Sequence, residues 1–196
     1  MASKKVLDLG CGFRKRDPAA IGVDLIPTPQ TDLICDLGTF PWPFADNTFD
    51  RILCYHVLEH VENVVGFIRE VHRVAVPGAI LEGEVPHFLN PYAYTDPTHV
   101  HFLGLRALDM FCVPETVTRQ RSTVRRVLNR VLGVHYEFGT FHAGGLFRKR
   151  VVRLSLPKFY KVIGLSWLIN QFPEAYEVQG LLRAPGNVYF ELEVQK

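Results

Sequence analysis

The chain has 196 residues, of which 47% are hydrophobic and 21% charged, and its formal net charge is +2. That length holds one well-buried domain and is short for two, and the composition excludes a disordered chain. No run reaches the roughly 18 apolar residues of a membrane span. Cys11, Cys35, Cys54 and Cys112 are widely spaced, which predicts reduced thiols in a cytoplasmic protein.

Residues 1–5 run straight into Val6-Leu7-Asp8-Leu9, so no signal peptide is expected before the fold. This first strand breaks into Gly10-Cys11-Gly12, a tight turn whose bare backbone lets a ligand come close. Ile21-Gly22-Val23-Asp24 is a second short apolar run that again ends in an acid. Only eight residues separate Gly12 from Ile21, and Pro18 is one of them. They allow about two helical turns at most. Residues 31–36 predict a third strand ending at Asp36, and Phe40-Pro41-Trp42-Pro43-Phe44 a rigid apolar lid on the sheet edge.

A fourth strand is expected over 49–56. The helix after it, over 62–75, carries Val61, Val64, Val65, Ile68, Val71 and Ala75 on one face. Val76-Pro77-Gly78 stops it, and 79–85 form the fifth strand. Alternating strands and helical segments predict a parallel sheet covered on both faces, with ligands at the carboxyl ends of its strands. Asp8, Asp24, Asp36, His56 and Pro86 all fall at those ends. From 86 to 105 the pattern becomes irregular and rich in His, Tyr, Asp and Pro. A short helix over 106–111 and a basic helix over 116–132 follow. Either 135–142 or 148–156 supplies the sixth strand. Residues 187–194 alternate strictly and form the last.

Asp8-Leu9-Gly10-Cys11-Gly12, Gly22-Val23-Asp24 and Cys35-Asp36-Leu37 together resemble the cofactor motifs of class I S-adenosylmethionine-dependent methyltransferases. The whole chain looks like the small bacterial methyltransferase-11 type. The resemblance implies an α/β fold, Rossmann-like and doubly wound, with a mostly parallel seven-stranded sheet and an antiparallel last strand. It divides a single domain into a cofactor-binding half over 1–85, a substrate and lid region over 86–185, and the last strand over 187–195. It implies that Asp8, Gly10, Cys11 and Gly12 shape the cofactor site. Asp24 with Leu25 would hold the ribose, Asp36 with Leu37 the adenine, and His56 would line the pocket. The chain departs from the pattern in its short first connection and in Arg14, which stands for a glycine.

Methyl transfer requires alignment above all, with a base where the nucleophile carries a proton. His87 follows the fifth strand and is expected to point into the cleft as that base, with His99 and Asp96 as second candidates. His56-Val57-Leu58-Glu59-His60 also matches an inverted zinc-protease signature, set aside because His56 ends a strand of a nucleotide-binding sheet. Some RNA and ubiquinone-pathway methyltransferases resemble the chain here and hold a metal on Glu-x-x-Glu-His. With His56 for the first glutamate, the adopted reading is no metal, Glu59 and His60 orienting the helix.

Arg119, Arg121, Arg125, Arg126, Arg130, Arg148, Lys149, Arg150, Arg153, Lys158 and Lys161 are half of the 22 basic residues, with only Glu137 among them. Such a field attracts anions, so a small or carrier-linked anionic acceptor ranks above nucleic acid. The rivals are a catalytically silent cofactor-binding scaffold and a metal-assisted enzyme acting on RNA or a metabolite. A nicotinamide enzyme is disfavoured because Lys15 stands at the third glycine of its fingerprint.

Overall fold

The structure is a computed structural model that describes residues 4–114, 145–173, 176–177 and 185–196. Its strands are β1 (Val6–Leu9), β2 (Ile21–Asp24), β3 (Leu33–Ile34), β4 (Phe49–Tyr55), β5 (Ala75–Pro86), β6 (Phe147–Ser155) and β7 (Asn187–Val194). They form one sheet in the order β3-β2-β1-β4-β5-β7-β6. The β1–β2, β1–β4, β2–β3 and β4–β5 pairs are parallel, whereas β7 runs antiparallel to both neighbours. The expected fold class and antiparallel last strand are therefore present. The sixth strand is the 147–155 segment; the other candidate, 135–142, and the helix expected over 116–132 lie outside the described residues.

Helix α1 (Val64–Val74) starts later than expected because Asn63 caps it, its Oδ1 accepting the Gly66 N–H at 2.8 Å. Its apolar stripe, Phe67, Ile68, Val71 and Val74, is buried against the sheet with Leu7, Leu9, Ile52 and Leu81. Strict alternation on β7 sends Val188, Phe190, Leu192 and Val194 into the same core. Among the described residues, the short helices α2 (Lys158–Val162) and α3 (Leu165–Gln171) follow β6.

The connections from β1 to β2, β2 to β3 and β3 to β4 contain no helix at all. Period-2 geometry puts Arg51, Leu53, Tyr55, Glu82, Glu84, Tyr189 and Glu191 on the sheet face opposite the main core. Among the described residues that face is clothed by side chains. Arg51 and Tyr55 both donate to Glu82 at 2.5 Å, and the Arg16 guanidinium lies 4.3 Å from the centre of the Tyr55 ring. A connection of eight residues is too short to lay a helix there, so polar pairing takes the place of a second apolar layer.

The basic residues of β6 are not a free field either. Arg150 donates to Glu193 at 2.9 Å, Lys149 pairs with Asp109, and Arg153 lies over Tyr189. Their partners come from β7 and from the segment before residue 114, which residue counting over one interval missed. Arg119, Arg121, Arg125, Arg126 and Arg130 lie outside the described residues. No described helix is long and apolar enough to cross a membrane.

Candidate functional site

The carboxyl ends of β1, β2, β3 and β4 line up along one edge. Gly10 and Gly12 turn the chain there with φ of 65° and 54°, a conformation side chains resist. The Gly12 N–H donates to Asp24 Oδ2 at 2.8 Å, and the Ile26 N–H to Asp24 Oδ1 at 3.0 Å. Asp24 thus ties the two turns together, and a carboxylate with about four acceptor positions still has two to offer. Beside it Leu25 is 65% exposed. Asp36 is exposed; the Gly38 N–H and the Thr39 hydroxyl hold its carboxyl below the usual range, so it stays an acceptor. Leu37 is buried and its carbonyl accepts from the Trp42 indole at 3.3 Å. Trp42 packs edge-on against Phe67, 5.1 Å between ring centres, and belongs to the core.

Asp8 is buried, and its Oδ2 accepts the Arg16 N–H at 2.6 Å. Burial raises its pKa, against the opposing pull of Arg16. Asp8 therefore fixes the loop after the glycine turn. A cavity of about 650 Å³ opens here between Asp8, Gly10, Arg14 and Tyr55. Cys11 is buried, its thiol toward the carbonyls of Gly12 and Gln30.

A second cavity of about 760 Å³ opens where β4 and β5 end, with His56, Glu59, His60, Tyr92, Asp96 and His99 in its wall. His56 adopts a φ of 58°, unusual for a side-chain-bearing residue, and its Nδ1–H donates to Glu59 Oε1 at 3.2 Å. The other carboxylate oxygen, Glu59 Oε2, is buried and has no hydrogen-bond partner. The Glu59 carbonyl accepts the N–H groups of Val100 and His101 at 2.8 and 3.2 Å, which pins the 99–101 segment to the end of β4.

The proton positions on both neighbouring rings follow from their partners. Thr98 Oγ1 gives its proton to Asp96 Oδ1 at 2.6 Å, so at 2.9 Å it accepts from His60 Nδ1–H. His99 Nδ1 lies 2.8 Å from the Ala93 carbonyl and donates to it. In its uncharged form each ring would keep a lone pair on Nε2. One donor atom from each of Glu59, His60 and His99 lies within 4.8 Å of the other two, a span that a cation could bridge.

His87 is elsewhere. It is fully buried, its Nδ1 accepts the Leu89 N–H at 3.1 Å, and its Nε2 faces Glu177 Oε1 at 2.9 Å. The expectation that it points into the cleft is corrected: it ends β5 on the core side, in a parallel bridge with Leu103. Asp96 does reach the cavity, but the Thr98 hydroxyl and N–H hold its carboxyl below the usual range. It orients His60 through Thr98. Sequence reasoning undervalued Glu59; the only signal was its place between two histidines.

A family model described as a methyltransferase domain matches residues 7–82. Residues 7–82 are thus similar to a methyltransferase domain, and the strand order is that of the solved structures that share this fold. The turn at Gly12, with Asp24 and Asp36 beside it, fits S-adenosylmethionine, the cofactor of such domains. Ajmaline N-methyltransferase from Rauvolfia serpentina is 28% identical over 100 residues, covering 40% of this chain. The match spans 34% of that relative, about a third of its length. A SAM-dependent methyltransferase from Archaeoglobus fulgidus shares the fold at 16% identity. Its TM-score is 0.53, over 98% of this chain and 86% of that one. The 1,6-didemethyltoxoflavin-N1-methyltransferase of Burkholderia thailandensis, solved with S-adenosylhomocysteine, does so at 13% identity. Its TM-score is 0.50, over 98% and 72%.

Proposed function

We propose that the methyltransferase domain transfers the methyl group of S-adenosylmethionine to an oxygen or nitrogen of a small molecule held in the 760 Å³ cavity. The observation that carries this reading is how close the glycine turn lies to the segment that follows β4. A Cβ on Gly10 would stand 2.5 Å from Val57 Cγ2, so the segment that turns from β4 into the cavity lies directly on the glycine turn. Bound there, the cofactor supplies a methyl group on a positively charged sulfur, which leaves as a neutral thioether.

Asp24 receives the ribose hydroxyls on its two remaining acceptor positions. Asp36 and Leu37 would hold the adenine together with Leu25, and Arg14 would offer a cation to the carboxylate end. His99, the candidate in the cavity, takes the acceptor's proton on Nε2, and Asp96 acts as a positioning residue through Thr98 and His60. The cavity wall contains Glu59 and Asp96 and, among the described residues, neither lysine nor arginine. This composition argues against the anionic acceptor expected from the basic sequence.

Titration calorimetry with S-adenosylmethionine and S-adenosylhomocysteine tests the premise, and heat from neither would end the reading. A silent scaffold would bind both yet release no S-adenosylhomocysteine with any acceptor of a chemically broad panel.

A further inference from the structure

Three acceptor-bearing side chains, Glu59, His60 and His99, gather in the cavity wall with one ligand atom of each within 4.8 Å of the others. Glu59 Oε2 is unpartnered although the side chain is 98% buried, which is costly unless a cation or donor arrives with the ligand. His56 holds the other oxygen, so the carboxylate cannot rotate away without losing that bond. On either side His60 and His99 are fixed by Thr98 and by the Ala93 carbonyl in the tautomer with a bare Nε2. The rings pack edge to face, 4.7 Å between centres. A hydroxyl acceptor brings one O–H; a carboxylate or phosphate anion brings none.

We infer that the methyl acceptor is an amine, bound as its ammonium by Glu59, His60 and His99. This rests on the methyl-transfer reading above. An ammonium has three N–H groups for three acceptors. At hydrogen-bond lengths of about 2.8 Å, tetrahedral geometry sets those acceptors roughly 4.6 Å apart. The observed donor atoms lie within 4.8 Å of one another, so this ligand requires no contraction of the site.

The step balances. His99 Nε2 takes one ammonium proton and becomes imidazolium, with the Glu59 carboxylate as its counter-charge. The neutral amine then gives up its contacts with the two histidines, keeps one N–H on Glu59, and pivots so that its lone pair faces the cofactor. The C–N bond forms as the C–S bond breaks with its pair on sulfur, so the positive charge moves from sulfur to the methylated nitrogen. His99 returns its proton to water as product leaves.

The test is thermal stabilisation of the full chain, saturated with S-adenosylhomocysteine, by matched triplets of small molecules. Each triplet is a primary amine with its alcohol and carboxylate isosteres, on aliphatic, aromatic and polyamine skeletons. ZnCl2 and MnCl2 are run alone. The expected result is stabilisation by members of the amine arm only, with affinity at least tenfold weaker in Glu59→Gln. His99→Gln is the second variant, should Glu59→Gln melt before ligand is added. Stabilisation led by alcohols, carboxylates or metal alone, by no panel member, or equal amine binding in a folded variant would each overturn the inference. Binding of S-adenosylhomocysteine by the same protein separates its failure from failure of the methyl-transfer reading.

Discussion

The Gly12 N–H donates to the Asp24 carboxylate at 2.8 Å, so the glycine turn of β1 and the acid that ends β2 form one hydrogen-bonded unit. A ligand at this edge meets both together. Asp24→Asn keeps the shape, removes the charge and replaces an acceptor oxygen by a donor. Charge-assisted hydrogen bonds are worth about 1.5–3 kcal/mol, so affinity for S-adenosylmethionine is expected to fall roughly 10–100-fold in calorimetry. An unchanged dissociation constant would remove Asp24 from the cofactor site.

The two glycines of the turn separate backbone strain from crowding. Gly10→Ala meets a φ of 65° and a Cβ only 2.5 Å from Val57 Cγ2, whereas Gly12→Ala has φ of 54° and open space. Gly12→Ala is expected to cost about 1 kcal/mol and Gly10→Ala about 2–3 kcal/mol. Adding Val57→Ala recovers part of the second cost only. Equal melting temperatures for the two single variants would refute the crowding term.

Glu70 ties the 40–46 loop to α1. It accepts from the Trp42 N–H at 2.9 Å and twice from Arg73 at 2.8 Å, and Arg73 also donates to the carbonyls of Phe44 and Trp42. The Arg73 hydrogen bonds outweigh burial and lower the Glu70 pKa from 4.5. A lowered folded value means the contribution is complete above the unfolded value and lost as pH falls through the folded one. Stability should therefore drop below pH 4.5 more steeply in the native chain than in Glu70→Gln. At pH 7 Glu70→Ala is expected to cost about 2–3 kcal/mol, since Arg73 loses two charge-assisted hydrogen bonds and the Trp42 N–H its acceptor, while Asp46 still pairs with Arg73. Parallel pH profiles in denaturant titrations would count against the linkage.

Strand ends were legible because an acid after an apolar run marks them: Asp24, and Asp36 just past β3, stand where the motifs predict. Helix α1 was legible from its stripe, and β7 from its alternation. The bare face of the sheet was not, since nothing in Arg51 or Glu82 alone reveals that they pair across two strands. His87 misled for a related reason. Residues just past a strand end can turn into the cleft or back into the core, and the deciding partner, Glu177, lies 90 residues away. Glu59 reads as helix-opening polarity until burial shows that one of its oxygens is unmatched.

That difference between two histidines is open to measurement. His87 is sealed between Glu177 and the Leu89 N–H, whereas His99 keeps Nε2 free in the cavity. His87→Ala opens a cavity and leaves Leu89 N–H short of its partner, so it is expected to destabilise by about 2–4 kcal/mol. The fraction that folds should keep its kcat within about threefold, since no reacting group is removed. His99→Ala should cost only about 1 kcal/mol of stability, from one hydrogen bond to Ala93. Its kcat is expected to fall 10²–10⁴-fold, the usual range for a lost general base. Melting curves and turnover on one preparation of each variant decide the matter. Collapse of kcat in a folded His87→Ala that still binds S-adenosylmethionine, with His99→Ala unaffected, would return the proton to His87 and move the acceptor to the core side of β5.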